Sequence, residues 1–205
     1  MSTPDSSGNP SHPVVVIARE PDTVPSWVRS WTRHLGTVLH TTAANGTAAA
    51  VSAAGRALEG LVLILRATSC AGGAETPQLV VAAVQDDAWD RPVVDTAASV
   101  ADLCHARLRV LHAVPRAFGE RSVGLAEAVD RGRQLVGAAV ARSGITATGQ
   151  LVRAWPHEVL DETLEADLLV VGGPRPGSAA ELGPTARAAL FHAPCPVLVV
   201  PRAGR

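Results

Sequence analysis

The sequence predicts an α/β protein built on a doubly wound parallel sheet. Short strands rich in β-branched residues alternate with Ala-rich helical stretches along nearly the whole chain, which is typical of a parallel sheet covered by helices. Several strands are apolar on both faces, for example at 61–65 and 168–171, as strands are when helices pack against both sides of a sheet. With 205 residues, the chain can bury such a core without disulfides or a metal.

Eight strands are predicted from short apolar runs bounded by Gly, Pro or polar residues. In chain order they are Val14–Ala18, Thr37–Thr41, Leu61–Arg66, Leu79–Val84, Leu108–Val114, Gly149–Ala154, Asp167–Gly172 and Pro196–Val200. Helices are predicted over Val93–Ala106 and Ser122–Ser143, where apolar residues recur near the helical period. Two further helices are predicted to begin at prolines, over 156–164 and 184–192, because proline fits the first helical turn.

Two parts are predicted, joined by a linker over 68–77 that is rich in Gly, Ala and small polar residues. The first part, 13–67, follows a polar tail over 1–12 that we expect to be disordered, and it has the order β-α-β-α-β. The second part, 78–202, contains the five strands of a complete doubly wound unit. We expect the smaller part to dock on the larger one, because its outer strands would otherwise leave uncovered edges. A degenerate internal repeat and an unrelated addition both remain open as its origin.

The composition excludes several functional classes. All 18 basic residues are Arg, so the chain has no phosphate-loop lysine, no Schiff-base lysine and no kinase lysine. A net charge of −1 indicates no basic face for nucleic acid or for an anionic membrane. The three cysteines are odd in number and far apart, which argues against a disulfide framework. Since the first twelve residues lack the pattern of a signal peptide, we expect a cytoplasmic protein.

A specific run of residues marks the C-terminal third. Ala166–Gly172 reads Ala-Asp-Leu-Leu-Val-Val-Gly, and it is followed by Gly183 and by His-Ala-Pro-Cys-Pro-Val-Leu-Val-Val at 192–200. This pattern resembles the universal stress protein family, and the similarity covers about 78–202. The resemblance implies a five-stranded parallel sheet of the adenine nucleotide alpha hydrolase-like type and dimerisation through the last strand. The resemblance also implies a ligand, because many members of the family bind ATP or another adenine nucleotide at the carboxyl ends of the strands.

The candidate nucleotide site departs from the family pattern. Where the resemblance implies an aspartate after the first strand, this chain has Gln85. The implied phosphate loop contains three glycines and then Ser or Thr, but here Arg175 replaces the second glycine and Pro184 replaces the hydroxyl residue. Proline offers neither an N–H nor a hydroxyl, although Arg175 could bind a phosphate with two hydrogen bonds. The candidate site residues are Gln85, Gly172, Arg175, Gly177, Gly183 and Thr185.

Two functional hypotheses follow from these observations. In the first, the protein is a non-enzymatic stress-response regulator with a degenerate nucleotide site and no cofactor. It would act by association through an apolar final strand formed by Val197, Leu198, Val199 and Val200. The partner strand would come from a second copy, which gives a homodimer, or from Leu61–Leu65 of the same chain, which gives an intramolecular pseudo-dimer. In the alternative, the protein is an ATP- or adenine-nucleotide-binding sensor, with slow ATP hydrolysis as a further option.

Other chemistry-bearing residues are predicted to have structural roles. The acidic residues Asp86, Asp87 and Asp90 are typical of a solvated turn, with a Mg²⁺ site as the alternative. Cys104 and His105 are adjacent on a helix, so they point in different directions and cannot form a nucleophile–base pair. Trp27 and Trp31 share a face of the first helix, and we expect them to pack against the sheet or across the junction of the two parts.

Overall fold

The structure, a computed structural model, describes residues 13–20, 24–57, 60–65, 76–85, 89–115, 124–161, 163–174 and 182–202. The tail predicted over 1–12 and most of the predicted linker lie outside these ranges. In chain order the elements are β1 (Val14–Ala18), α1 (Ser26–His34), β2 (Leu39–Ala43), α2 (Thr47–Arg56), β3 (Leu61–Ile64), β4 (Leu79–Ala83), α3 (Arg91–Cys104), β5 (Arg107–Ala113), α4 (Leu125–Arg142), β6 (Ala147–Val152), α5 (Pro156–Val159), β7 (Leu168–Gly172), α6 (Pro184–His192) and β8 (Val197–Val200). Among the described helices, none combines the length and the apolarity that crossing a membrane requires.

All eight described strands form one sheet, in the order β2-β1-β3-β8-β7-β4-β5-β6. Neighbouring strands are parallel except for β3 and β8, which pair antiparallel with Leu63 opposite Leu198. The predicted α/β class with a mainly parallel sheet is confirmed. The prediction of a five-stranded sheet beside a separate N-terminal part is wrong, because β3 and β8 would each be an apolar edge alone and satisfy each other's backbone groups when paired.

The last strand lies inside the sheet and not at its edge. Strand β8 has β7 on one side and β3 on the other, and its residues Val197, Leu198, Val199 and Val200 are all buried. The edge that the sequence predicted at β8 is therefore occupied by the chain's own β3. A second copy could pair with β8 only by displacing β3, and the oligomeric state of the protein stays a prediction.

Helices cover both faces of the sheet, as a doubly wound arrangement requires. Helices α1 and α3 pack on one face, where Trp31 and Val28 share a core with Leu63, Val80 and Leu198. Helices α2 and α6 pack on the opposite face, and short α5 lies against α6 there. Because both cores contain residues from before and after the predicted linker, the two parts of the chain share one hydrophobic interior.

Trp31 connects the two parts directly. Its side chain is fully buried, and its indole Nε1 donates a hydrogen bond of 3.2 Å to the Ser99 hydroxyl on α3. Trp27 lies one turn earlier, with the two ring centroids 6.5 Å apart. The pair thus packs across the junction, which was one of the two positions expected from the sequence.

The Cys104 thiol is held in the core at the end of α3. Burial raises its pKa from 9.0 to about 11, whereas the adjacent His105 is exposed and has a left-handed backbone with φ of 52°. Cys195 is buried as well. Thiolate is the reactive form of cysteine, so neither chemistry nor geometry supports a nucleophile–base pair at 104 and 105.

We expect the two buried thiols to be unreactive until the protein unfolds. In a Cys70→Ser variant at pH 8, native protein will react slowly with a thiol reagent, whereas guanidinium-unfolded protein will expose Cys104 and Cys195. A variant that adds Ala126→Cys on the exposed face of α4 is the rapidly labelled control. Rapid labelling of Cys104 in native protein would contradict the assignment. Since the folded-state pKa is the higher one, the contribution of Cys104 to stability is complete below about pH 9.0 and declines as the pH rises to about 11.

Candidate functional site

A cavity of about 630 Å³ opens where β4, β5 and β7 end. Gln85 follows β4, His112 and Ala113 end β5, and Gly172 ends β7, and all four residues line it. Doubly wound sheets place ligands at the carboxyl ends of parallel strands, because the connections to helices diverge there. The volume falls within the roughly 300–1,000 Å³ that small-molecule sites occupy.

Helix α4 forms one wall of this cavity through Ala128, Arg131, Gln134 and Leu135. It can approach the sheet closely because residue 132 is glycine. A Cβ at Gly132 would lie 2.8 Å from Leu151 Cδ1 and 2.9 Å from His112 Cδ2. The opposite wall comes from α5 and α6, where Val159, Leu160 and Thr185 line the space. The interior is thus apolar, with polar groups at several points around it.

His112 is oriented by the backbone of the neighbouring strand. Its Nδ1 lies 2.9 Å from the Val84 carbonyl oxygen, and a carbonyl can only accept, so Nδ1–H is the donor. In the neutral ring, Nε2 is then a hydrogen-bond acceptor. Since His112 lines the cavity, this side chain presents a ring of defined tautomer at the end of β5.

A buried ion pair joins the end of β8 to the start of α3. Arg202 Nη2 donates to Asp90 Oδ1 at 2.7 Å, and the other carboxylate oxygen of Asp90 accepts from the Gln85 backbone N–H. Asp90 is only 1% exposed, so it is not part of a solvated turn as the sequence predicted. Asp86 and Asp87 lie outside the described residues. Within the described ranges, no group of three His, Cys, Asp or Glu residues could hold a metal.

Gly172 makes room for the guanidinium of Arg202. A Cβ at this position would lie 2.5 Å from Arg202 Nε and 2.9 Å from Arg202 Cζ, so any other residue here would displace the guanidinium. Strand β8 runs parallel to β7. Its carboxyl end, with Arg202 beyond it, therefore lies at the same end of the sheet as Gly172 and the cavity. The sequence assigned Gly172 to a phosphate loop, and the structure adds this packing role.

The start of α6 keeps more hydrogen-bond donors than the sequence indicated. Gly183 is the N-cap and Pro184 is the first helical residue, a position where the N–H has no partner within a helix. The next N–H groups, on Thr185 and Ala186, belong to the first turn and are also without intrahelical partners. Thr185 lines the cavity, so this helix end can still present donors to a ligand.

The structure brings together only part of the predicted site. Gln85, Gly172 and Thr185 line the cavity, and Gly183 stands next to it at the N-cap of α6. Arg175 and Gly177 lie outside the described residues. The candidate residues predicted from the sequence do not include Arg202, Arg131, Gln134 or His112, which all line the cavity. Arg202 could have been found, because parallel topology places residues beyond β8 at the same end of the sheet.

Among the residues that the structure describes, the charged side chains that line the cavity are of one sign. Among the described lining residues, Arg131 and Arg202 are the ionised side chains and no carboxylate is present. Asp90 lies behind Arg202 and is paired with it. Since Asp90 offsets the charge of Arg202, the net positive charge of the described lining comes from Arg131, and it favours an anionic ligand over a cationic one.

A second cavity, of about 540 Å³, lies at the carboxyl ends of β1, β2 and β3. Because β3 and β8 are antiparallel, the carboxyl ends of β1, β2 and β3 lie at the opposite end of the sheet from the first cavity. Arg19, Asn45 and Thr47 line it together with Leu190 of α6. Each half of the sheet therefore has its own space at the ends of its strands.

The sheet and the first cavity define a doubly wound α/β protein with a ligand-sized space at the carboxyl ends of its strands. A model of the universal stress protein family matches residues 76–201, which is more than half of the chain. The chain therefore belongs to the universal stress protein family, as the motif at 166–200 indicated.

Solved structures show likeness over nearly the whole chain. A protein from Pseudomonas aeruginosa UCBPP-PA14 described as a universal stress protein is 18% identical, with a TM-score of 0.53, over 93% of this chain and 83% of its own. A functionally unknown protein from Pseudomonas aeruginosa PAO1 is also 18% identical, with a TM-score of 0.52, over 93% and 82% of the two chains. Both likenesses extend into the N-terminal part and concern the fold alone.

A shorter likeness covers the C-terminal part. The universal stress protein from Archaeoglobus fulgidus, solved in complex with dAMP, is 21% identical, with a TM-score of 0.45, over 62% of this chain and 98% of its own. Among curated proteins, none matches this sequence.

Proposed function

We propose that this protein is a cytoplasmic, non-enzymatic stress-response regulator that acts by binding an adenine nucleotide in the cavity of about 630 Å³. The observation that carries the proposal is the cavity itself, which lies at the carboxyl ends of β4, β5 and β7 with arginine as its charged lining. Its position is the one where doubly wound sheets bind nucleotides.

The lining offers complementary groups for each portion of such a ligand. Val159 and Leu160 provide apolar surface for a base, and His112 Nε2 provides an acceptor for an exocyclic amine. The amide of Gln85 can both donate and accept, so it can bind ribose hydroxyls in place of the family's aspartate. Thr185 at the start of α6 and Arg202 provide donors for a phosphate.

We expect the protein to bind the nucleotide without hydrolysing it. Among the described lining residues there is no carboxylate to act as a general base, and in this proposal the acceptor Nε2 of His112 binds the adenine amine and not a water molecule beside the phosphates. Slow ATP hydrolysis is the alternative. Incubation with ATP and Mg²⁺ should release no phosphate above a buffer control, and release that is lost in a cavity-blocking variant would support the alternative.

A second proposal concerns association and rests on the pairing of β3 with β8. Since Leu63 faces Leu198 across this pair, the N-terminal part occupies the edge that a second copy would otherwise use. We propose that the full chain is a monomeric pseudo-dimer, with the homodimer as the alternative. In this proposal, the N-terminal part is a degenerate repeat whose strand β3 pairs with β8 of the C-terminal part.

Blocking the cavity should abolish nucleotide binding. We expect the wild-type protein to bind AMP or ATP with a micromolar dissociation constant in calorimetric titration. Ala128→Trp, on the cavity face of α4, should weaken binding by about tenfold or more, because the indole would occupy the space of the ligand. Ala126→Trp, on the exposed face of the same helix, should bind as the wild type does.

The titration can also refute the proposal. If neither AMP nor ATP binds to wild-type protein up to millimolar concentration, nucleotide binding is excluded. Equal affinities of the Ala128→Trp and wild-type proteins would place the nucleotide elsewhere.

A further inference from the structure

Arg202 is an unusually constrained residue in the lining of the cavity. Its side chain is 11% exposed, and Nη2 lies 2.7 Å from Asp90 Oδ1. Within the described part of the chain, its Nε is buried and has no hydrogen-bond partner. Buried N–H donors are nearly always paired, so Arg202 is a guanidinium with unused hydrogen-bonding capacity beside a ligand-sized cavity that it lines.

The surroundings of Arg202 hold the guanidinium in place before any ligand binds. Asp90 uses one oxygen for Arg202 and the other for the Gln85 backbone, so the anchor itself is fixed to the end of β4. Gly172 lets the guanidinium lie directly against the end of β7. An arginine has five N–H donors in a rigid fork, and the bond to Asp90 uses one of them.

We propose that Arg202 recognises the phosphate of the bound nucleotide and makes the site selective for nucleotides over nucleosides. This inference rests on the proposed nucleotide binding. A phosphate can accept two parallel hydrogen bonds from a guanidinium, and Thr185, which also lines the cavity, has a hydroxyl that can donate one more. Loss of one charge-assisted hydrogen bond corresponds to about a tenfold to hundredfold weaker binding.

The competing role for Arg202 is purely structural. The ion pair with Asp90 could serve only to join the end of β8 to the start of α3. A simple Arg202→Ala variant cannot separate the two roles, because it would leave the Asp90 carboxylate buried without its cation. The test therefore needs a background in which Asp90 carries no charge.

Two matched variants provide this background. Asp90→Asn keeps Arg202 in the cavity, and Asp90→Asn combined with Arg202→Gln removes the guanidinium without stranding a charge. The measurement is the ratio of the dissociation constants of adenosine and AMP, by calorimetry. We expect wild-type protein to prefer AMP by about tenfold or more, and Asp90→Asn to keep a smaller preference because asparagine has only one acceptor oxygen for Arg202 and Gln85. The double variant should bind both ligands with affinities within about threefold of each other.

Each outcome decides one question. If wild-type protein binds AMP and adenosine equally, or if the double variant keeps the preference for AMP, the role of Arg202 is refuted while nucleotide binding stands. If AMP does not bind wild-type protein at all, the proposed function fails and this inference fails with it. Should the double variant not fold by circular dichroism, Arg202→Lys decides, since it keeps the charge and the partner but loses the fork. An unchanged preference in Arg202→Lys would then overturn the inference.

Discussion

Replacing Trp31 with alanine will lower the free energy of unfolding by about 3–5 kcal/mol, the usual cost of removing a large aromatic side chain from a core. Trp31 is fully buried and packs in a core that contains strands from both parts of the chain. The variant also leaves the Ser99 hydroxyl without the indole N–H that it accepts from. We therefore expect both parts of the chain to be destabilised together.

Urea unfolding followed by far-ultraviolet circular dichroism checks this result, because that signal does not depend on tryptophan. Trp31→Phe keeps an aromatic ring and loses the hydrogen bond, so a smaller loss is expected than for alanine. Val38→Ala, at a side chain that is 61% exposed, should change the free energy by less than about 0.5 kcal/mol. Two separate transitions, with only the first affected by Trp31→Ala, would show that the two parts do not share a core.

Removing residues 1–75 will convert a monomer into a self-associating protein. The full chain should elute at its monomer mass of 21.1 kDa, since β3 covers β8. In the fragment 76–205, Val197–Val200 would form an uncovered apolar edge with unpaired backbone groups. Such edges pair with other chains, so we expect a dimer through β8 or larger aggregates.

Size exclusion with light scattering distinguishes these states. Co-expression of residues 1–65 with the fragment is the control, and it should restore a one-to-one complex by supplying β3 in trans. A fragment that stays monomeric when folded would refute the covering role of β3. A dimeric full chain would refute the monomeric pseudo-dimer.

The central strands could be located from the sequence, and the edge strands less accurately. Strand β1 has the predicted bounds, and β7 and β8 each begin one residue later than predicted. These strands are apolar on both faces and are bounded by Gly, Pro or charged residues. Strands β2 and β6 are each displaced by two residues, because none of their side chains is buried and they give no clear pattern.

One helix is shorter than its sequence predicted. Helix α5 ends at Val159 and not near Leu164, since the Asp161 carboxylate accepts hydrogen bonds from both the N–H and the hydroxyl of Thr163. Such aspartate turns compete with the helical backbone. Pro156 predicted the start of this helix correctly, whereas the turn at Asp161 that follows its end was not predicted from the sequence.

Contacts between distant residues account for the rest of what the sequence did not reveal. The partner of β8 could not be chosen in advance, because β3 and a second copy of β8 offer similar short apolar strands. Arg202 and Asp90 are separated by 112 positions, and no local periodicity relates them. The candidate site was therefore predicted where a motif existed, at Gly172 and Gly183, and was missed where only the fold brings side chains together.

The covalent connection between β3 and β8 changes how this sheet responds to dilution. Two subunits held together by strand pairing separate as their concentration falls, since association depends on mass action. Here the partner strand belongs to the same polypeptide, and its effective concentration is set by chain geometry and not by expression level. The pairing of β3 with β8 therefore does not depend on the concentration of the protein.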